Sequence, residues 1–296
     1  MLESLESFVE LARNKSGKII AVAAAEDSHA LEAIKLIIEQ RLGKAILIGC
    51  REKIVNISAS ISFNIENVEI IDIPDKMLAC EKAVALVKQG NADILMKGLV
   101  DSSIYLRAIL NKEHGICQSS LVTQIAFIQS PYYHKLFAAT DAGINIAPTL
   151  SDKEKMLRQS VDIFHLLGIK KPKVAVIAAV ERVTKAIPAT QDADMLSQSI
   201  YADCVVEGPL SIDLAFSFES CEHKGISSKV GGDVDLILLP EINSANVFYK
   251  TMTQLGAANS ASFLTGTSAP IVFTSRSDSA KTKYFAIACA IAQCKS

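Results

Sequence analysis

The sequence predicts an α/β fold with largely parallel sheets covered on both faces. Three observations carry that prediction. Short β-branched and aliphatic runs alternate with amphipathic helical stretches along the chain. The runs are almost continuously apolar, as in strands buried on both faces, rather than apolar and polar by turns. The length of 296 residues, at about 150 residues per domain, suits two domains.

The elements follow in order. Leu5, Phe8, Val9 and Ala12 have helical spacing and mark a first helix. Strand Lys18–Ala24 leads into a helix from about Ser28 to Arg41. Ala45–Ile48 is a strand ending at Gly49, and Val68–Ile73 is one stopped by Pro74. Asp75–Lys88 is helical, with Met77, Ala83, Val84 and Val87 to one side. Ala92–Met96 is a buried strand and Ser102–Leu110 a short helix. Further strands are expected near Ser120–Gln129, Leu136–Asn145, Val174–Val180, Cys204–Glu207 and Asp235–Leu239. Helices near Ser151–Leu167, Ala189–Ser199 and Ala245–Leu255 lie between several of them. The last strand is Ala269–Phe273 and the last helix about Ser277–Gln293. No fixed-period repeat, low-complexity tract or Pro/Gly/Ser-rich linker interrupts the pattern.

Half of the residues are apolar and 21% are charged, with mean hydropathy +0.29. That excludes a disordered chain, a collagen-like chain and a small disulfide scaffold. Thirty Lys and Arg against 32 Asp and Glu leave a net charge of −2. Such a balance gives no global field for nucleic acid or an anionic membrane. The apolar run Tyr284–Ala292 falls well short of the roughly 18 residues a membrane span needs. The acidic start Met1-Leu2-Glu3-Ser4-Leu5-Glu6 is not a signal peptide. Cys50, Cys80, Cys117, Cys204, Cys221, Cys289 and Cys294 have no CxxC spacing and are odd in number. They read as reduced, mostly buried thiols of a cytoplasmic protein.

Several chemistries are absent. No GxGxxG follows a strand, and there is no GxxxxGK[ST], HExxH, GxSxG or clustered Cys/His spacing. No metal site is expected. His165 reads as structural within a helix, and His134 and His223 as surface residues. The lack of Trp leaves no stacking platform for single-stranded nucleic acid.

Three strand-to-helix junctions stand out. In the first, a buried strand ends at Lys97-Gly98 and a helix opens near Ser102-Ser103, with Arg107 further along. Free N–H groups and a helix dipole there suit a phosphate, although an ordinary strand–turn–helix has the same pattern. In the second, Phe273 leads into Thr274-Ser275-Arg276-Ser277-Asp278-Ser279. Ser275 and Arg276 could converge on an anion, while Ser275-x-x-Asp278 also matches a capping box. In the third, Pro240 halts a strand before Glu241-Ile242-Asn243-Ser244-Ala245-Asn246. Asn246 could bind a ligand or simply cap a turn.

These segments together resemble the phosphate acetyltransferase and phosphate butyryltransferase family, nearer its butyryl branch. The matching stretches are ADILMKGLVDSSIYLRAIL, ATDAGINIAPTLSDKEKMLRQ, IPATQDADMLSQ, EGPLSIDLAFS, EHKGISSK, DLILLPEINSANVFYK and PIVFTSRSDSAKTKY. They run in order from Ala92 to Tyr284, within a resemblance that covers the chain from about Gly17 to the end. The resemblance implies the two-domain fold of isocitrate and isopropylmalate dehydrogenases, with a cleft between the domains. It places one domain at about 1–119 plus 268–296 and the other at 120–267. It implies transfer of an acyl group between coenzyme A and inorganic phosphate, no cofactor, and a homodimer or larger assembly.

The same resemblance carries Ser275, Arg276 and Arg107 over as catalytic residues. Where the acetyl branch has a proposed basic Asp, ungapped counting finds Thr282, and Asp278 is the nearest carboxylate. Lys97, Gly98, Ser102, Ser103, Thr274 and Asn246 are the expected substrate-binding residues. Where the family usually shows Ala-Gly-Asn, this chain has Ser244-Ala245-Asn246, and loss of the glycine would restrict the backbone if φ > 0 were needed. Two rival readings remain. A metal-dependent oxidoreductase on this scaffold would need an acidic cluster that the sequence lacks. A catalytically silent acyl-CoA-binding regulator would bind coenzyme A without phosphate-dependent turnover.

Overall fold

The structure, a computed structural model, describes residues 3–15 and 17–294. The chain forms two compact units. A terminal unit takes Glu6–Val122 and the chain from Ala261, and a central unit takes Thr123–Ser260 with Leu5.

The terminal unit opens with α1 (Glu6–Arg13), which buries Phe8, Val9 and Ala12 as their spacing requires. Then β1 (Lys18–Ala23) leads to α2 (Ser28–Glu39), capped by Asp27, whose carboxylate accepts the Ala30 N–H at 3.0 Å. There follow β2 (Gly43–Gly49), α3 (Arg51–Ser60), β3 (Glu69–Asp72) and α4 (Lys76–Lys88), the last capped by Asp75. Next come β4 (Ile94–Lys97) and α5 (Ser102–Ile109). The sequence analysis does not anticipate α3. Its buried residues are only Ile54 and Ser58, so it has almost no apolar stripe to betray it.

The central unit contributes β5 (Thr123–Gln129), β6 (Phe137–Thr140), α6 (Leu150–Leu166), β7 (Lys173–Ile177) and α7 (Pro188–Gln198). It continues with β8 (Val205–Leu210), α8 (Ile212–Phe216), α9 (Phe218–Lys224), β9 (Leu236–Leu238) and α10 (Ile242–Gln254). The chain returns to the terminal unit through β10 (Asn259–Thr265), β11 (Ile271–Val272) and α11 (Ala280–Gln293). The sequence reading also misses α8, α9 and β10. In β10 the small residues Ser260, Ala261 and Ser262 weaken the strand signal.

Strands of the terminal unit lie in the order β3-β2-β1-β4-β11-β10. All neighbours are parallel except β10 and β11. The chain winds outward from β1 to β3 and then returns to place β4 on the other side of β1. The carboxyl ends of β1 and β4 therefore flank a topological switch point, where open α/β sheets bind ligands. In register, Ala23 faces Lys97 and Val272 faces Met96. Helix α11 covers this sheet and packs on α1 and α2, with an apolar face from Tyr284 to Ala292.

The central unit has the order β5-β6-β9-β7-β8, with β5 and β6 antiparallel and the rest parallel. Its core includes Ile128, Phe137, Ile177, Leu214 and Ile237. Phe137 meets Tyr133 and Phe216 edge to face. The expected strand Leu136–Asn145 is cut at Thr140. There the buried Asp141 carboxylate accepts from the N–H groups of Gln124, Gly143 and Ile144 and from the Asn145 amide. Those bonds tie the segment into a turn instead of a ladder. Burial raises the Asp141 pKa while these donors pull it down.

Candidate active site

The candidate site is built where the strands of the terminal unit end. Lys97 closes β4 and is buried, at 2% exposure. Its Nζ donates to the carbonyl of Val100 at 2.9 Å and more weakly to that of Gly98 at 3.4 Å. The lysine therefore folds its own loop around itself rather than reaching into solvent. Burial, and then the like charges of Lys283 and Arg276, pull its pKa down to about 8. Gly98 lies so close to the end of β1 that a Cβ there would sit 2.1 Å from the Ala24 carbonyl oxygen. Its N–H donates to Ala23 and that of Leu99 to Ala24. Glycine is needed here for close approach.

The loop delivers Asp101 to the N-cap position of α5, yet its side chain caps nothing. Its Oδ1 instead meets Arg276 Nη1 at 2.9 Å, with both side chains more than half exposed. A pair so solvated contributes about 0–1 kcal/mol. Its consequence is orientation: Asp101 holds the Arg276 guanidinium over the start of α5. Ser102 and Ser103 are exposed in that first turn, where N–H groups and the helix dipole favour an anion. Beneath, the wholly buried Tyr105 stacks on Phe273, 6.4 Å between centroids, tying α5 to the end of β11.

The Ser275–Asp278 segment makes its own turn. The Ser275 N–H donates to Asp278 Oδ2 at 2.7 Å, and the Asp278 N–H to the Ser275 carbonyl at 3.2 Å. Ser275 Oγ lies 3.0 Å from Ser277 Oγ. The final helix does not start here, as its expected start at Ser277 required. Ser279 is the N-cap, accepting from the Thr282 N–H at 3.2 Å. The capping-box match at Ser275 and Asp278 is thus a turn that precedes the helix and presents Arg276 outward.

Lys283 is the residue the sequence reading misses. It is 1% exposed, and its Nζ donates to the Ser275 carbonyl at 2.9 Å and to Thr274 Oγ1 at 3.3 Å. Burial lowers its pKa, while Asp27 and Asp278 act in the opposite sense. Thr274 is buried and accepts from Lys283. The available signal was a single cation heading the stripe Lys283, Ile287 and Ala290 on an otherwise apolar helix face.

One expected residue of the same unit lies further along α5. Six residues of about 1.5 Å rise put Arg107 about 9 Å along α5 from Asp101. Arg107 is exposed and lines a groove of about 570 Å³ with Met77, Glu81, Lys88 and His114. In the central unit, Asn246 donates its amide to the Ala142 carbonyl at 2.9 Å, a structural tie. Ala245 lies inside α10 without a positive φ, so the missing glycine costs no backbone freedom. Among the described residues no group of three or more His, Cys, Asp or Glu could hold a metal ion.

Comparison with known proteins shows the family of the chain. Residues 76–291 match the family model described as phosphate acetyl/butaryl transferase. The chain is 39% identical over 294 residues to a phosphate butyryltransferase of Clostridium acetobutylicum, covering 98% of each. It is 36% identical over 288 residues to a phosphate acetyltransferase of Thermotoga maritima, covering 96% of this chain and 97% of that one. The crystal structure of a branched-chain phosphotransacylase from Enterococcus faecalis superposes with a TM-score of 0.85 at 28% identity, over 93% of this chain and 98% of the other.

Proposed function

The chain belongs to the phosphate acetyl/butaryl transferase family, and from that premise we propose how its site works. It is an acyltransferase that moves an acyl group between coenzyme A and inorganic phosphate: acyl-CoA + phosphate ⇌ acyl phosphate + CoA. The preferred acyl group is butyryl or one of similar length, with acetyl as the alternative. The 39% identity to a butyryltransferase against 36% to an acetyltransferase supports that order.

The observation that carries the site assignment is the Ser275–Arg276 turn beside the first turn of α5, with Arg276 steered by Asp101. Both substrates are anions, so their approach requires local positive charge. Arg276 holds phosphate against the thioester, aided by the N–H groups at Ser102 and Ser103. Arg107 joins it by swinging out of its groove toward the N-terminus of α5, the direction in which its Cα–Cβ bond already tilts. A phosphate oxygen attacks the carbonyl carbon, the C–S bond breaks, and the thiolate leaves. Ser275 Oγ donates to the carbonyl oxygen or the departing sulfur. Asp278 orients phosphate or takes its proton. Proximity and charge stabilisation do most of the work, and no acyl-enzyme forms. No cofactor enters this mechanism. We further place the protein in the cytoplasm as a homodimer or larger assembly. No helix among the described residues is long and apolar enough to cross a membrane.

The deciding experiment is thiol release from acetyl-, propionyl- and butyryl-CoA with and without inorganic phosphate. Phosphate-dependent release, fastest with butyryl-CoA, is expected. Coenzyme A binding with no phosphate-dependent release from any of the three would favour the silent regulator.

A further inference from the structure

We infer that Lys283 is a positioning residue for the acyl transfer, acting through the Ser275–Arg276 turn; this rests on the function proposed above. Lys283 lies under the turn at 1% exposure and spends its ammonium on two neutral acceptors, the Ser275 carbonyl and Thr274 Oγ1. Those are the two residues immediately before Arg276. The negative charges of Asp27 and Asp278 favour the charged form of Lys283 while burial opposes it.

Burying an ammonium against neutral acceptors is costly to a fold. An apolar side chain of the same length would fill the buried space without that cost, so burial by itself does not explain a lysine here. What a lysine does supply is a donor that fixes the Ser275 carbonyl from below. That carbonyl already receives the Asp278 N–H, so the clamp closes the turn from two sides. Ser275 Oγ and the Arg276 guanidinium are then presented from a backbone that cannot swing. A shift of about 1 Å in such a group costs on the order of 100-fold in rate.

The test uses Lys283→Met, which removes donor and charge, and Lys283→Gln, which keeps a donor without the charge. Wild-type phosphate-dependent thiol release is measured first, because its absence would count against the proposed function and not against the clamp. Phosphate affinity by calorimetry then reads the clamp whether or not turnover is present. Lys283→Met is expected to lower kcat/KM for phosphate at least 100-fold and to weaken phosphate binding, with a thermal midpoint at or above wild type. Lys283→Gln is expected to stay within 10-fold of wild type. Should Lys283→Met fail to fold, Lys283→Gln decides alone. A folded Lys283→Gln with less than one-hundredth of wild-type kcat/KM overturns the hydrogen-bond role. Wild-type kcat, KM and phosphate affinity in folded Lys283→Met, or kinetics unchanged while both variants lose stability, reduce Lys283 to a residue of the fold.

Discussion

Arg276 reaches solvent on a side chain that is 60% exposed and pairs with Asp101. Such a contact adds little to stability, so the cost of losing Arg276 should fall on chemistry. Arg276→Ala is expected to lower turnover at least 100-fold, on the order of 3 kcal/mol, while unfolding stability moves by less than about 1 kcal/mol. Near-normal turnover in the folded variant would remove the central claim about the site. Asp278 carries two tasks, since its carboxylate accepts the Ser275 N–H and is proposed to meet phosphate. Asp278→Asn keeps an acceptor for that N–H and deletes the charge. We expect a folded protein with kcat reduced about 10-fold or more and an altered pH–rate profile. An unchanged rate and profile would leave Asp278 as a turn residue only. Ser275 and Arg276 stood out as candidates in the sequence because a polar Thr-Ser-Arg step follows an apolar run, although a capping box would look the same. Lys283 left only the signal of one cation on an otherwise apolar helix face, and which groups its ammonium meets is decided by packing.

At the scale of elements, the loop between β4 and α5 holds most of the physical tension. Lys97 is buried among like charges, and its pKa falls to about 8 from an ordinary value of 10.5. Between those values the unfolded chain holds more protons than the folded one, so stability rises with pH across that window. Below about pH 8 the buried charge costs on the order of 3 kcal/mol, and the cost fades as pH climbs toward 10.5. The stability of wild type relative to Lys97→Met should therefore improve from about pH 7 to about pH 10, read as denaturant midpoints. A difference that does not move with pH would mean that Lys97 is no more protonated in the unfolded chain than in the folded one. The elements recovered from sequence were those with a strong apolar period or a capping residue, such as α2 behind Asp27 and α4 behind Asp75. Those lost were α3, with one buried apolar side chain, and β10, a strand of small residues. The start of α11 moved from Ser277 to Ser279 because Asp278 satisfies the Ser275 N–H inside a turn before any helix begins.

Across the whole molecule, the seven cysteines report on how the chain is buried. Cys117 is exposed and Cys50 half-buried, while Cys80, Cys204, Cys221, Cys289 and Cys294 are buried. Burial pushes the thiols of Cys80, Cys204 and Cys294 up to about 12, 11 and 11, so few thiolates form near neutrality. A thiol reagent should modify Cys117 quickly, Cys50 more slowly, and the other five only on unfolding. Fast modification of three or more thiols in the native protein would contradict this burial. By itself the sequence determined the α/β class, the parallel character of the strands and the two junctions that carry Lys97–Ser103 and Thr274–Asp278. Those properties are local, written in apolar periodicity and in the residues that stop a strand. Only the tertiary structure decided that Lys97 and Thr274 face inward, that Asp101 abandons its cap for Arg276, and that Lys283 supports the turn from below. The Asp101–Arg276 pair joins segments 175 residues apart, and the Lys97 and Lys283 contacts, though near in sequence, depend on how each loop is folded and buried. Nothing in the order of neighbouring residues encodes which face of a loop will meet another strand's end.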